Sequence, residues 1–317
     1  MFSPVLDAAL AGVFGLLVGS FLNVVIYRLP AMLHREWLQE TLDNLDPAAS
    51  PHGPTLWHLV FGGRVAQPTE LEVAAAGAGK LLAAEPALTL ARPRSRCGSC
   101  GTPIRAWQNV PVLSWIFLRG RCAACGARIS VRYPAVELLT GGLFAFCAWR
   151  FGLGVPGAFW AFFCAVLVCQ FFIDLDTQLL PDSLNYLLLW GGLLGSVLQV
   201  TGVPLASAVW GAVIGYLSLW LVYHFYRLAT GKHGMGYGDF KRLAALGAWL
   251  GAKSLLAIIL LSTLVGAVLG GIMLIVGRMA NRHVPMAFGP FLAAAGIVAF
   301  LLGPREFQRT FQFAFPF

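Results

Sequence analysis

The sequence predicts an all-α polytopic membrane protein of about eight transmembrane helices with a cytoplasmic, zinc-ribbon-like insert. Three observations predict it. Of the 317 residues, 58% are hydrophobic and only 11% charged, against about 25% charged in ordinary soluble domains, and the mean hydropathy is +0.74. Apolar runs long enough to cross a bilayer recur along the chain, whereas residues 34–132 hold none. That polar stretch carries two CxxC pairs. A net charge of +8 would suggest a nucleic-acid partner for a soluble protein. Here Lys and Arg serve better as signals of membrane orientation, and no nucleic acid is expected.

The first apolar run, Ala8–Tyr27, is closed by Arg28-Leu29-Pro30. Its charge follows the run and no small-residue cleavage site comes after it, so an uncleaved anchor with its N-terminus outside is expected rather than a signal peptide. Further runs cover about 134–150, 157–173, 183–201, 205–227, 239–252, 254–277 and 286–303. Alternating them from an outside start places residues 28–133 and the loops near 174–182, 228–238 and 278–285 in the cytoplasm. Lys232, Arg278 and Arg282 lie in those loops, and Arg227 and Lys241-Arg242 flank one of them. The opposite connections hold little beyond Arg150 and Lys253, as the positive-inside rule expects. The 239–252 run is short for a full crossing.

Within the insert, Pro51–Pro93 is rich in Ala, Gly and Pro and reads as a loop or small irregular subdomain. After it come "RCGSCGTPI" and "RCAACGARI": Cys97-x-x-Cys100, 21 intervening residues, then Cys122-x-x-Cys125, each pair followed by Gly. Two knuckles offering four thiolates suit one tetrahedral Zn²⁺. Glycine after a knuckle lets the backbone turn its N–H groups toward the sulfurs. Two disulfides or a redox pair are the competing readings. A reducing cytosol disfavours the first, and a second CxxC at ribbon spacing is superfluous for the other. Four protein sulfurs close the coordination shell, so the zinc is expected to be structural. Cys147, Cys164 and Cys169 fall inside apolar runs and read as core packing.

Acids at the ends of the runs are few: Glu137, Asp174, Asp176, Asp182 and Asp239. A carboxylate at membrane depth is costly unless paired or hydrated, which makes it a functional candidate. Asp182, after Pro181, suits the N-terminus of the next helix. Asp176 can face water. Asp174 lies deeper, after Phe171-Phe172-Ile173, and Asp239 follows glycines that allow close backbone approach. Helix capping is the plain alternative for Asp239. The expected topology sets Asp174 and Asp239 at one edge of the bilayer. Two carboxylates that meet there cannot easily both ionise, and such a pair acting on water is the aspartic-protease arrangement.

These residues carry a family resemblance. "GMGYGDFKRLAALGAWLG" at 234–251 resembles the GxGD motif region of prepilin peptidases, also called type IV leader peptidases. So do "GSFLNVVIYRLP" at 19–30, the paired CxxC knuckles, "RYPAVELLTG" at 132–141 and "IDLDTQLLPD" at 173–182, in family order. The resemblance implies a bacterial inner-membrane enzyme with two activities. It cleaves the basic leader of type IV prepilins or type II secretion pseudopilins on the cytoplasmic side, then N-methylates the new N-terminal residue using S-adenosylmethionine. It implies Asp174 and Asp239 as the catalytic pair and Cys97, Cys100, Cys122 and Cys125 as the zinc ligands. His233 departs from the pattern, where many members carry an acid.

The expected domains are then a first transmembrane helix (1–29), a cytoplasmic region with the four-cysteine zinc-binding domain (30–133), a transmembrane catalytic domain (134–304) and a C-terminal tail (305–317). A basic leader is better met by Glu36, Glu40, Asp43 and Asp46 than by the arginines of the insert. The methyl donor needs a polar pocket, and Gly120, before the second knuckle, and Glu137, at its run's cytoplasmic end, are the candidates for lining it. Their plainer roles are a turn residue and a helix-end acid. A homodimer is left open. Two other classes compete: a transporter whose intramembrane acids bind cations, which leaves the zinc ribbon unexplained, and a structural secretion subunit in which the aspartates only cap helices.

Overall fold

The computed structural model of the chain describes residues 3–45, 55–62, 64–276, 288–303 and 307. Asp46, Arg278, Arg282, the start of the last expected run and the 305–317 tail apart from Phe307 lie outside the described residues. Those described are helical, with no strand among them beyond two isolated bridges. The chain divides into two compact units, Tyr27–Ile104 on one hand and Met1–Ile26 with Arg105–Phe317 on the other.

Helix α1 runs Pro4–Leu45 and passes through Pro30, where the sequence suggested a stop. A proline removes one backbone donor, but residues 31–45 are dominated by Ala, Leu, Met, Glu and Gln, whose propensity re-forms the helix beyond it. In the Tyr27–Ile104 unit, α2 (Leu56–Phe61) is short, and α3 (Thr69–Ala84) occupies part of the stretch read as irregular. The Ala and Gly of α3 conceal its period, while its alanines and Glu70 and Glu72 in its first turn favour the helix. Arg35 donates to the carbonyls of Leu82 (2.8 Å), in the last turn of α3, and of Glu85 (2.9 Å) and Pro86 (2.8 Å) just after it, satisfying acceptors with no partner in the helix. Arg28 does the same for Thr89 (2.8 Å) and Pro93 (2.7 Å).

The larger unit holds α4 (Leu113–Phe117), α5 (Arg132–Phe151), α6 (Val155–Thr177), α7 (Asp182–Val197), α8 (Leu205–Thr230), α9 (Tyr237–Leu250), α10 (Leu255–Ile275) and α11 (Gly289–Leu302). Among the described residues, four helical stretches are long and apolar enough to cross a membrane: Pro4–Leu45, Val155–Thr177, Leu205–Thr230 and Ala252–Met273. Helix α9, at 14 residues, spans ~21 Å at ~1.5 Å per residue, less than the ~30 Å hydrocarbon layer. It packs against α7, α8 and α11, with 11 residues buried.

Small residues set these contacts, as they do where helices pack in lipid. A Cβ at Gly211 or Gly215 of α8 would strike the backbone carbonyls of Gly247 and Leu243 on α9. A Cβ at Gly19 of α1 would meet Glu137 Cα of α5 at 2.7 Å. Trp249 of α9 is fully buried among Phe163, Trp160 and Phe162. Its indole N–H donates to the Leu188 carbonyl at 2.7 Å, so the largest core side chain leaves no polar atom unpaired.

Candidate active site

Asp174 lies in the last turn of α6, which ends at Gln178 in the left-handed conformation (φ 54°), its N–H donating to the Asp174 carbonyl at 2.9 Å. Asp239 lies in the first turn of α9, whose N-cap is Gly236. What brings α9 close is Gly238: a Cβ there would meet Leu180 Cβ at 2.5 Å. The second glycine of the motif therefore seats the start of α9 on the loop between α6 and α7. The N-cap of α9 is a glycine with no side chain to cap it, and Asp239 stands in the first turn, where a carboxylate also suits the helix dipole.

Both acids are buried, Asp174 at 3% and Asp239 at 6% exposure, and so is Arg242, at 0%. Arg242 Nη1 lies 3.4 Å from Asp174 Oδ2, and Nη2 donates to the Gln170 carbonyl at 3.3 Å. Asp239 and Arg242 lie three residues apart on α9, one turn of the same helix face, which brings Asp239 to the side of the helix that meets Asp174. A buried charge requires a partner, and the guanidinium supplies one to Asp174. Asp239 Oδ1 has no protein hydrogen-bond partner among the described residues. Beside this cluster, Gln170 Nε2 donates to Asn185 Oδ1 at 2.8 Å, joining α6 to α7. On the far side α11 closes in: a Cβ at Gly289 would overlap Asp174 Oδ2 and lie 2.5 Å from Arg242 Nη1.

The other acids are spoken for. Asp176 pairs with Arg132 at 2.6 Å, whose guanidinium lies 4.8 Å from the centre of the Phe172 ring. Asp182 occupies the first turn of α7, as its sequence suggests, but makes no cap bond. Both its oxygens accept from Lys241 Nζ at 2.7 Å. His233, the departure from the family pattern, shares a 2.6 Å hydrogen bond with Tyr223 Oη.

Arg242 and Gly289 escaped sequence reasoning. Arg242 stands beside Lys241 and looks like a second loop cation. Its signal is the spacing, three residues after Asp239 and so on the same face of α9. Gly289-Pro290 carried no signal beyond a helix start.

Gly120 has φ 65°, and a Cβ on it would meet Trp115 Cζ2 at 2.9 Å. Glu137, 8% exposed, accepts the Val112 N–H at 2.7 Å and lies within hydrogen-bonding reach of Ser20. Each knuckle, taken by itself, has the same fold. Cys97 N–H donates to Thr102 and Gly101 N–H to Cys97, both at 2.9 Å; Cys122 N–H donates to Ala127 at 2.8 Å and Gly126 N–H to Cys122 at 2.9 Å. Gly101 and Gly126 take φ 70° and 71°, which glycine adopts without steric cost. Four thiols in this setting are a donor set that can hold a metal ion.

Residues 13–151 match the bacterial peptidase A24 N-terminal domain and residues 161–271 the type IV leader peptidase family. A prepilin leader peptidase/N-methyltransferase of Stutzerimonas stutzeri is 45% identical over 98% of this chain and 96% of its own. Proteins of the same name from Aeromonas salmonicida and Neisseria gonorrhoeae are 46% and 44% identical, over 95% and 92% of this chain and 92% and 89% of theirs. No solved structure matches the chain.

Proposed function

The chain belongs to the type IV leader peptidase family, and on that premise we propose that it is a prepilin leader peptidase and N-methyltransferase of the bacterial inner membrane. Its substrates are type IV prepilins or type II secretion pseudopilins. The observation that carries this reading is the buried group of Asp174 and Asp239 around Arg242 at adjoining helix ends. One carboxylate takes a proton from water as the water oxygen bonds to the scissile carbonyl carbon. The other gives its proton to the departing amine nitrogen as the C–N bond breaks, so the two acids end with their protonation states exchanged. Asp239 Oδ1, unclaimed by the described protein atoms, is placed to bind that water or the scissile amide. Arg242 holds Asp174 in place, and Gly289 keeps α11 from displacing it.

The active site faces the cytoplasm, a reading supported by the Lys and Arg that flank the ends of α8 and α9. Glu36, Glu40 and Asp43 are exposed on α1, spaced by four and three residues and so on one face, and are suited to a basic leader. Expression in a bacterium lacking its own leader peptidase tests the reading. Prepilin there should convert to the mature form; prepilin that persists while the chain sits in the membrane would refute it.

Cys97, Cys100, Cys122 and Cys125 hold one structural Zn²⁺. The matched turns of the two knuckles support this, and the metal's part is to cross-link them. Changing Cys97 and Cys122 to Ser should release the metal and expose residues 95–130 to protease, with cleavage lost only as that region opens. Full protease resistance in a zinc-free variant would contradict the assignment.

Methyl transfer from S-adenosylmethionine asks for a deprotonated amine in line with the sulfonium methyl group. We assign the polar setting for it to residues 97–137, where Gly120 seats Trp115 and Glu137 secures the Val112 turn. Some substitutions in this region should therefore leave pilin cleaved but unmethylated. Joint loss of both activities in every variant, read by product mass, would overturn the assignment.

A further inference from the structure

We propose that the segment Val110–Phe117 is an interfacial anchor that seats on the anionic phospholipid surface of the membrane. Its backbone is forced outward. The Leu113 N–H donates to the Pro111 carbonyl at 2.6 Å and Val112 has φ 60° and ψ −51°, which is the rarer, positive-φ form of a γ-turn. A β-branched residue does not take that conformation unless its surroundings impose it. Here they do: the Val112 N–H donates to Glu137 Oε2 at 2.7 Å, and Glu137 is pressed against Gly19 and Ser20 of α1.

Beyond the turn, α4 shows two unlike sides. Trp115 points inward, its indole N–H donating to the Ile129 carbonyl at 3.2 Å beneath Gly120. Leu113, Ile116 and Phe117 are left 53%, 56% and 81% exposed, with Val110 beside them at 41%. The turn is pinned on α1 at Gly19–Ser20, inside the apolar run Ala8–Tyr27 of a helix fit to span the membrane. Held to a membrane-crossing helix, these side chains have the bilayer beside them, and the seat proposed for them is the headgroup and acyl boundary, where an amphipathic segment buries its apolar side.

Charge selects the kind of surface. From Arg105 to Val136 the chain carries Arg105, Arg119, Arg121, Arg128 and Arg132 and no acid, and the first four are exposed. Clustered arginines flanking an apolar segment are drawn to anionic headgroups, and exposed Trp107 suits the same interface. The basic leader of the proposed substrate would be repelled by this cluster. The anchor itself does not depend on the peptidase reading.

Photo-cross-linking of the full-length protein in nanodiscs of phosphatidylethanolamine and phosphatidylglycerol tests it. A photoreactive phenylalanine analogue replaces Phe117 and, in a control, Ala124, an exposed residue of the second knuckle. Lipid adducts at position 117 should clearly exceed those at 124, and phosphatidylglycerol should be enriched among them over its mole fraction. Equal labelling at the two positions would overturn the anchor. So would adducts at 117 that merely follow the lipid mixture, or adducts to added prepilin in place of lipid.

Discussion

Asparagine at either Asp174 or Asp239 will slow prepilin cleavage by roughly 10³-fold, within the range general acid–base groups supply, while the chain remains folded in the membrane. The amide keeps the size and most of the hydrogen bonding of the acid but cannot exchange a proton with the attacking water. Neither acid caps its helix, and an amide oxygen at position 174 still accepts from Arg242, so the chain is expected to fold. Some stability is lost in Asp174→Asn, where the buried guanidinium gives up its counter-charge. Asp176→Asn and Asp182→Asn should act weakly, since each gives up only an ion pair open to solvent, worth ~1 kcal/mol or less. A time course of leader removal by the four purified variants separates the pairs. Wild-type rates from Asp239→Asn would remove it from the catalytic pair.

Gly289→Ala should cost roughly 10²-fold in cleavage rate, the scale on which a ~1 Å displacement of a catalytic group acts. The added methyl would overlap Asp174 Oδ2 and crowd Arg242 Nη1, so either the carboxylate moves or the start of α11 does. Substrate binding should change little, which places the loss in kcat rather than KM. Gly142→Ala is the control: it lies mid-helix on α5 with nothing within 4 Å of the added atom. Equal activity of the two variants would show that α11 does not confine Asp174.

The sequence made some of this site legible and hid the rest for physical reasons. Acids are so few outside the polar insert that Asp174 and Asp239 stand out, and the glycines before Asp239 announce a close approach, which proves to be Gly238 against Leu180. The knuckles were equally plain, because CxxCG is a local structure written in adjacent residues. Hidden were features that depend on which way a side chain turns. Lys241 and Arg242 look alike as consecutive cations at a span end, yet Lys241 reaches outward to Asp182 and Arg242 inward to Asp174. The helical period decides that, and it becomes visible only once α9 is known to start at Tyr237. Pro30 misled in the opposite way: a proline is a local break signal, whereas the sequence on both sides of it favours helix, and the helix continues. Gly289 matters only because a distant helix end meets Asp174, a relation that no stretch of sequence contains.

Product masses from the purified full-length protein incubated with a prepilin, with and without S-adenosylmethionine, test the central assignment most directly. The expected result is loss of the leader in both reactions, a mature pilin one methyl group heavier only when the cofactor is present, and intact prepilin throughout for the Asp174→Asn variant. Intact prepilin with the folded wild-type protein, or leader loss that survives in Asp174→Asn, would contradict it.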